Sequence, residues 1–267
     1  MEASYDRLVE LLRDIGGAVV AFSGGVDSSL LLAAARDALG DRALAVTACS
    51  PSFPAREREQ AVEIARVLGA RHRLVDSDEI DDPGYRANPP ERCYHCKGAL
   101  FRCLRAIADE EGLPAVLDGA NRDDAGDFRP GSRAAREAAV RSPLAELGLP
   151  KEEIRRLSRE RGLPNWDHPA CACLASRIPY GEEITVERLA RIGGAEAAIL
   201  ALGFRVVRLR DHGGVARVEL GADEIDRGLR PEIRSAIAAA CRAHGFAYAA
   251  LDLEGYRTGS LNETLPR

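Results

Sequence analysis

The first half of the chain alternates short runs of small and β-branched residues with longer stretches of three- and four-residue apolar spacing. Residues 18–22, 43–47, 73–75, 115–117 and 140–144 fit strands. Residues 28–39, 55–68, 97–111, 132–139 and 151–161 fit helices that bury one face. Strand and helix in regular alternation predict βαβ crossovers, hence a parallel α/β sheet whose strand ends form the ligand crevice.

After Pro169 the order changes to a helix at 185–202, strands at 205–210 and 215–220, a helix at 231–244 and a last strand at 247–253. That order reads as a small α+β unit. Residues 162–181 are rich in Pro and Cys and nearly aperiodic, so a boundary falls there. The expected division is a first domain at 1–168, a cysteine-containing linker at 169–184 and a second domain at 185–267. No internal repeat or low-complexity tract interrupts the pattern.

Composition narrows the function classes. A chain of 267 residues with formal net charge −5 and interspersed signs has no broad basic field for a nucleic-acid backbone. The opening stretch, 1–12, is acidic and amphipathic rather than basic and then apolar, and no apolar run is long enough for a bilayer. A cytoplasmic protein without membrane or nucleic-acid partners is expected. In that reducing setting the seven cysteines are expected to be thiols, metal ligands or catalysts rather than disulfides.

Directly after the first strand, Ser23-Gly24-Gly25-Val26-Asp27-Ser28-Ser29 opens a helix. Glycines allow a tight turn that aims backbone N–H groups inward, hydroxyls add donors, and the helix start is electropositive, which together make an anion cradle. It is not a Walker loop, because no lysine follows the glycines. The plain alternative is a Gly-rich turn with a Ser/Asp helix cap. The stretch resembles the PP-loop of the ATP pyrophosphatase superfamily, with its adenine nucleotide alpha hydrolase-like fold. That resemblance implies ATP cleaved between its α and β phosphates. Ser23, Gly24, Gly25, Asp27, Ser28 and Ser29 would hold the pyrophosphate end, and Asp27 would help to place Mg2+. Asp118-Gly119-Ala120-Asn121-Arg122-Asp123-Asp124 resembles the superfamily's second ATP motif, where Asn121 and Asp124 would meet nucleotide or magnesium. Taken alone, it also reads as a polar loop of Asx turns.

Two cysteine clusters follow, Cys93-Tyr94-His95-Cys96-Lys97 and Cys171-Ala172-Cys173-Leu174-Ala175-Ser176-Arg177-Ile178-Pro179-Tyr180-Gly181. With Gly126-Asp127-Phe128-Arg129-Pro130-Gly131, Arg141-Ser142-Pro143-Leu144 and the closing 252–260 stretch, they resemble the LarE family of sulfur transferases over nearly the whole chain. The resemblance implies that a carboxylate of pyridinium-3,5-biscarboxylic acid mononucleotide is adenylylated and that sulfur then replaces AMP, in biosynthesis of the nickel-pincer nucleotide cofactor. Cys173 matches the cysteine that gives up its own sulfur and becomes dehydroalanine, with Arg177 as a cationic neighbour that would favour its thiolate. The additional Cys171 and the upstream pair open a second route, a 4Fe-4S cluster on Cys96, Cys171 and Cys173, with Cys93 as substitute. A zinc half-site is the third. Cys103 and Cys241 read as buried apolar thiols, and Cys49, at a strand end, as structural.

In the second domain Arg208 and Arg210 alternate onto one strand face, where they could clamp the phosphate or carboxylate of an anionic mononucleotide. A solvated strand face paired with nearby acids is the alternative. Glu196, Glu219 and Asp226 resemble the family's acidic divalent-metal site. The resemblance further implies a homo-oligomer, a trimer or hexamer assembled through this domain. Two rival enzymes remain: a tRNA-thiolating PP-loop enzyme, which would require an RNA-binding surface, and an ammonia-using PP-loop synthetase, which leaves the linker cysteines unexplained. A nucleotide-sensing module would need the loop alone.

Overall fold

The computed structural model describes residues 3–126, 130–169, 172–257 and 259–264. They fall into two compact units, one of 1–85 and 90–171, the other of 86–89 and 172–267.

In the first unit α1 (Ala3–Ile15), β1 (Ala18–Ala21), α2 (Val26–Leu39), β2 (Ala43–Cys49), α3 (Ala55–Val67), β3 (Arg71–Asp76), α4 (Pro83–Arg86), α5 (Arg92–Glu110), β4 (Ala115–Leu117), α6 (Pro130–Glu137), α7 (Pro143–Glu146) and α8 (Lys151–Glu160) follow one another. The strands form a parallel sheet in the order β3-β2-β1-β4. β1 is buried on both faces, which is why its sequence is uniformly apolar rather than alternating. Ala18 and Val20 join a core with Leu8, Leu31 and Ile154. Val19 faces a second core with Phe101, Leu104 and Ala134.

The expected strand at 140–144 reduces to one parallel bridge between Leu117 and Arg141. Pro143 has no N–H to give a ladder, and it opens α7 instead. In the other direction α5 begins at Arg92, before the apolar spacing starts, so Cys93 and Cys96 sit one helical turn apart on a helix. β3 begins at Arg71 and is largely exposed. There Arg71 and Arg73 pair with Glu111 and Glu110 at the end of α5, so charged residues stand where apolar spacing was sought.

In the second unit a 3-10 turn (Leu174–Arg177) precedes α9 (Val186–Leu200), β5 (Val207–His212), β6 (Val215–Leu220), α10 (Ile225–Gly228), α11 (Pro231–Ala243) and β7 (Tyr248–Leu251). β5 and β6 are antiparallel, and β6 and β7 parallel. Helix α9 starts on Thr185, whose hydroxyl accepts the Arg188 N–H. It packs on β5 and α11, with Leu189, Ile192, Ile199, Val207 and Leu209 fully buried. β5 begins two residues later than its apolar pattern suggests. The N–H groups of Arg205 and Val206 are taken by the Glu224 carboxylate and do not join the ladder. Residues 86–89 belong here because Arg86 O and Asn88 O accept from Ile184 and Gly181. Asn88, at φ 51, donates through Nδ2 to the carbonyls of Ile178 and Pro179.

Candidate active site

The phosphate loop leaves the carboxyl end of β1 and turns into α2. Gly24 has φ 72, and a Cβ there would lie 2.8 Å from Ala61 Cα, so neither the conformation nor the space admits a side chain. Gly119 approaches almost as closely, its virtual Cβ 3.0 Å from Ser28 N. The loop is knitted by its own hydroxyls. Ser28 Oγ donates to Gly25 O at 3.1 Å, which leaves Ser23 as the donor across the 3.2 Å Ser23–Ser28 contact. No side chain caps α2 at Gly25. A bare helix N-terminus framed by Ser23, Gly24, Gly25, Ser28 and Ser29 fits an oligophosphate, whose oxygens would take the uncapped amides.

Asp27 stands in the first turn of α2 and is shared between two side chains from later in the chain. Asn121 Nδ2 donates to its Oδ1 at 3.4 Å, and Lys151 Nζ lies 2.5 Å from its Oδ2. Asn121 is held by Asp124, whose carboxylate accepts the Asn121 N–H at 2.9 Å. The structure thus brings together Asp27, Asn121 and Asp124. Asp123 accepts the backbone N–H of Lys151 at 2.8 Å. That bond, with the Arg122 guanidinium, holds the Asp123 carboxyl below its ordinary range against a small opposing effect of burial.

Two residues of this site went unrecognised in the sequence. Lys151 carries the ammonium that the loop itself lacks. Of the 37 Lys and Arg residues only Lys97 and Lys151 are lysines, and that scarcity is a signal, since arginine fills every other basic position. Asn165 is the second. Its Nδ2 donates to Gly24 O at 2.8 Å and Ser29 Oγ at 3.0 Å, pinning the loop from a segment that has no periodicity to announce it. That segment is tied down by Arg155, which donates to the carbonyls of Trp166 and His168.

Cys93 and Cys96 lie in the first turns of α5, Cys93 exposed and Cys96 half-buried. Cys171 lies outside the described residues, as do 127–129 and Thr258 of the other motifs. Among the described residues no group of three or more His, Cys, Asp or Glu side chains is arranged to hold a metal.

In the second unit Cys173 heads the 3-10 turn with its thiol half-buried. The Arg177 guanidinium reaches the backbone of the cysteine turn and a buried carboxylate. Its Nη1 donates to the backbone carbonyls of Ala172 and Cys173 and to Ser176 Oγ, while Nε and Nη2 grip both oxygens of Glu196 at 2.9 and 3.2 Å. Arg177 is 1% exposed. Its charge is therefore spent on a buried bidentate pair and on fixing the backbone beside the cysteine.

Arg210 behaves alike, gripping Glu219 at 2.9 Å through two nitrogens and donating to Ser176 O at 2.7 Å and to Ser260 Oγ. Arg210 is thus buried and paired with Glu219, where a strand-face clamp with Arg208 was expected. Arg208 stacks 5.0 Å from the Tyr256 ring and donates to Val207 O. The three acids of the expected metal site have different surroundings. Glu196 and Glu219 spend their oxygens on arginine, Glu196 also accepting the Leu209 N–H at 2.8 Å, and Asp226 is exposed on α10. The cysteines expected to be inert differ in degree. Burial pushes the Cys241 thiol up to about 11, and burial with the nearby Asp78 carboxylate raises Cys103.

Residues 14–90 match a protein-family model described as asparagine synthase. Over 261 residues the chain is 38% identical to the pyridinium-3,5-bisthiocarboxylic acid mononucleotide synthase of Lactiplantibacillus plantarum, a match covering 97% of this chain and 94% of that one. It is 44% identical over 267 residues, the whole of both chains, to an uncharacterized protein of Synechocystis sp.. A shorter match, 30% identical over 161 residues, reaches an argininosuccinate synthase of Haloarcula marismortui and covers 56% of this chain and 38% of that one.

Proposed function

The chain belongs to the family of the pyridinium-3,5-bisthiocarboxylic acid mononucleotide synthase, and on that premise we propose that it is an ATP-dependent sulfur transferase acting on pyridinium-3,5-biscarboxylic acid mononucleotide. A substrate carboxylate attacks the α-phosphorus of ATP, pyrophosphate departs, and the acyl carbon gains AMP as a leaving group. Cys173 Sγ displaces the AMP to form a thioester. Loss of the Cys173 Cα proton and cleavage of its Cβ–Sγ bond leave the sulfur on the substrate as a thiocarboxylate and dehydroalanine at position 173. Two such rounds, on two chains, convert both carboxylates.

The observation that carries this reading is Cys173 at the head of a turn whose backbone is held by two buried arginines, Arg177 and Arg210. A nucleophile on a fixed backbone meets the acyl carbon with little left to order. The uncapped α2 terminus and the loop glycines supply the pyrophosphate cradle, and Asp27 with Asn121 would hold Mg2+, which would neutralise the leaving pyrophosphate. Arg208, stacked on Tyr256, is the more exposed member of the substrate clamp that it forms with Arg210.

A second reading of the sulfur step rests on Cys93, Cys96 and Cys171, which a single sacrificed thiol leaves unused. A 4Fe-4S cluster on Cys96, Cys171 and Cys173 would carry exchangeable sulfide and allow repeated turnover. Association into a homo-oligomer is in keeping with the exposure of Tyr248 and Leu253, 71% and 82%, in and just beyond β7. No helix of the described residues is long and apolar enough to cross a membrane, in keeping with a cytoplasmic enzyme of a small-molecule pathway.

The test is incubation with ATP, Mg2+ and the dicarboxylate mononucleotide, following AMP, pyrophosphate and sulfur in the product, with Cys173→Ala alongside. Cys173→Ala is expected to release pyrophosphate and stop at the acyl-adenylate, with no thiocarboxylate formed. Thiocarboxylate formed by Cys173→Ala at the wild-type rate overturns the assignment of the sulfur step. Iron and acid-labile sulfide in anaerobically purified protein select the cluster route, and loss of the Cys173 sulfur after turnover selects the sacrificial one.

A further inference from the structure

Lys151 is one of two lysines in a chain whose other basic residues are all arginine. Its contact differs in kind from the arginine pairs of the second unit. Arg177–Glu196 and Arg210–Glu219 are bidentate, with every partner side chain at most 8% exposed. Lys151–Asp27 is a single-point contact with side chains 32% and 25% exposed. A planar guanidinium locks a carboxylate in two directions, whereas an ammonium on a flexible stem makes one rotatable contact and can be exchanged. The stem is rooted independently of the ammonium. Lys151 is the first residue of α8, and its backbone N–H is fixed to Asp123 Oδ2 at 2.8 Å. The side chain can therefore swing while its origin stays put.

Its partner is the carboxylate that borders the cradle. Asp27 lies in the first turn of α2, where an oligophosphate would settle on the uncapped N–H groups. Asp118, Asp123 and Asp124 add further negative charge in the adjoining loop. A polyanion entering such a site needs cations to meet it. Resting on the nucleotide site proposed above, we infer that Lys151 is a reserve cation. Without ligand its ammonium neutralises Asp27. When Asp27 passes to a divalent metal, the ammonium transfers to the phosphate oxygens and stabilises the departing pyrophosphate. An arginine in this place would hold Asp27 in two directions and too firmly to let it go.

The inference makes a crossed prediction that a purely structural lysine does not. In the full chain, Lys151→Met removes the competitor for Asp27, so Mn2+ alone, followed by electron paramagnetic resonance, binds about two- to fivefold tighter, the worth of one exposed ion pair. The same variant loses a charge-assisted contact to the anion, so metal-free inorganic pyrophosphate, followed by calorimetry, binds about tenfold weaker or more. Lys151→Arg, with a guanidinium that can lock Asp27, binds Mn2+ more weakly than wild type. Parallel weakening of both probes in Lys151→Met, or no change in either, overturns the inference. Wild-type binding of Mg-ATP separates the two levels. Wild type that binds the nucleotide while the variants fail the crossed pattern sinks only the role of Lys151, and wild type that binds no nucleotide sinks the site reading and this inference with it.

Discussion

Replacing Arg177 with methionine isolates what the buried arginine contributes to the cysteine turn. Methionine keeps the aliphatic volume but removes the donors to Glu196, Ala172 O, Cys173 O and Ser176 Oγ. Glu196 is then left 6% exposed, with the Leu209 N–H as its remaining donor in the described structure. Breaking one side of a buried ion pair costs about 3–5 kcal/mol, and about 1.4 kcal/mol is a factor of ten in an equilibrium constant. Hydrogen exchange of Ser176, Ile178 and Leu209 in the full chain should therefore accelerate roughly a hundredfold to several thousandfold. Replacing Glu196 with leucine alone should be similarly costly, because the guanidinium is then buried unpaired. The double variant, Arg177→Met with Glu196→Leu, should be less damaged than the sum of the two singles, since neither charge is stranded. Additive effects, or acceleration below about fivefold in Arg177→Met, would show that the pair does not hold the turn and would refute its positioning role.

Removing the Asn165 side chain amide, as Asn165→Ala, strips two hydrogen bonds from the phosphate loop and should raise the KM for ATP by about tenfold, or about 1.4 kcal/mol, with a smaller effect on kcat. An unchanged KM in steady-state assays would remove Asn165 from the site. Gly24→Ala must force a positive φ and a 2.8 Å approach to Ala61, so equilibrium ATP binding should be lost while circular dichroism stays close to wild type. Burial depresses His72 below its ordinary 6.5. Thr47 gives its only proton to Phe22 O, so His72 Nε2 must be the donor to Thr47 Oγ1. The neutral ring being favoured in the fold, stability is complete above about 6.5 and falls as pH drops from there through the lower folded value. Replacing His72 with glutamine should flatten that part of the pH profile in denaturant titrations. With its thiol pushed up to about 11, Cys241 should resist alkylation at pH 8 in the folded protein, as peptide mass mapping would show.

Much of the first unit was legible because its strands are buried on both faces and its helices on one, so residue type follows position. The parallel sheet and the phosphate loop at the end of β1 follow from that pattern together with two glycines. Periodicity fails where burial stops. β3 is exposed and charged, the start of α5 carries no apolar repeat, and Pro143 ends what looked like a strand. The site was legible in its loop residues, which announce themselves by type, and less so in its supports. Lys151 and Asn165 reach the loop from more than a hundred residues away, and no local pattern marks such contacts. The arginines were found but their partners were not. Alternation placed Arg208 and Arg210 on one face, yet it could not show that Glu219, one strand over and opposite Arg208, takes the Arg210 guanidinium, or that Glu196 takes that of Arg177.

The claim that this chain activates a carboxylate with ATP and replaces an oxygen by sulfur drawn from position 173 is tested most directly by intact-protein mass spectrometry before and after incubation with ATP, Mg2+ and pyridinium-3,5-biscarboxylic acid mononucleotide, with the small-molecule products analysed in the same sample. The sacrificial route predicts AMP, pyrophosphate, a thiocarboxylate product and protein lighter by the elements of hydrogen sulfide, with the loss mapped to Cys173. AMP and pyrophosphate formed with sulfur absent from the product would contradict the sulfur transfer, and a thiocarboxylate formed by iron-free protein whose Cys173 keeps its full mass would contradict its source.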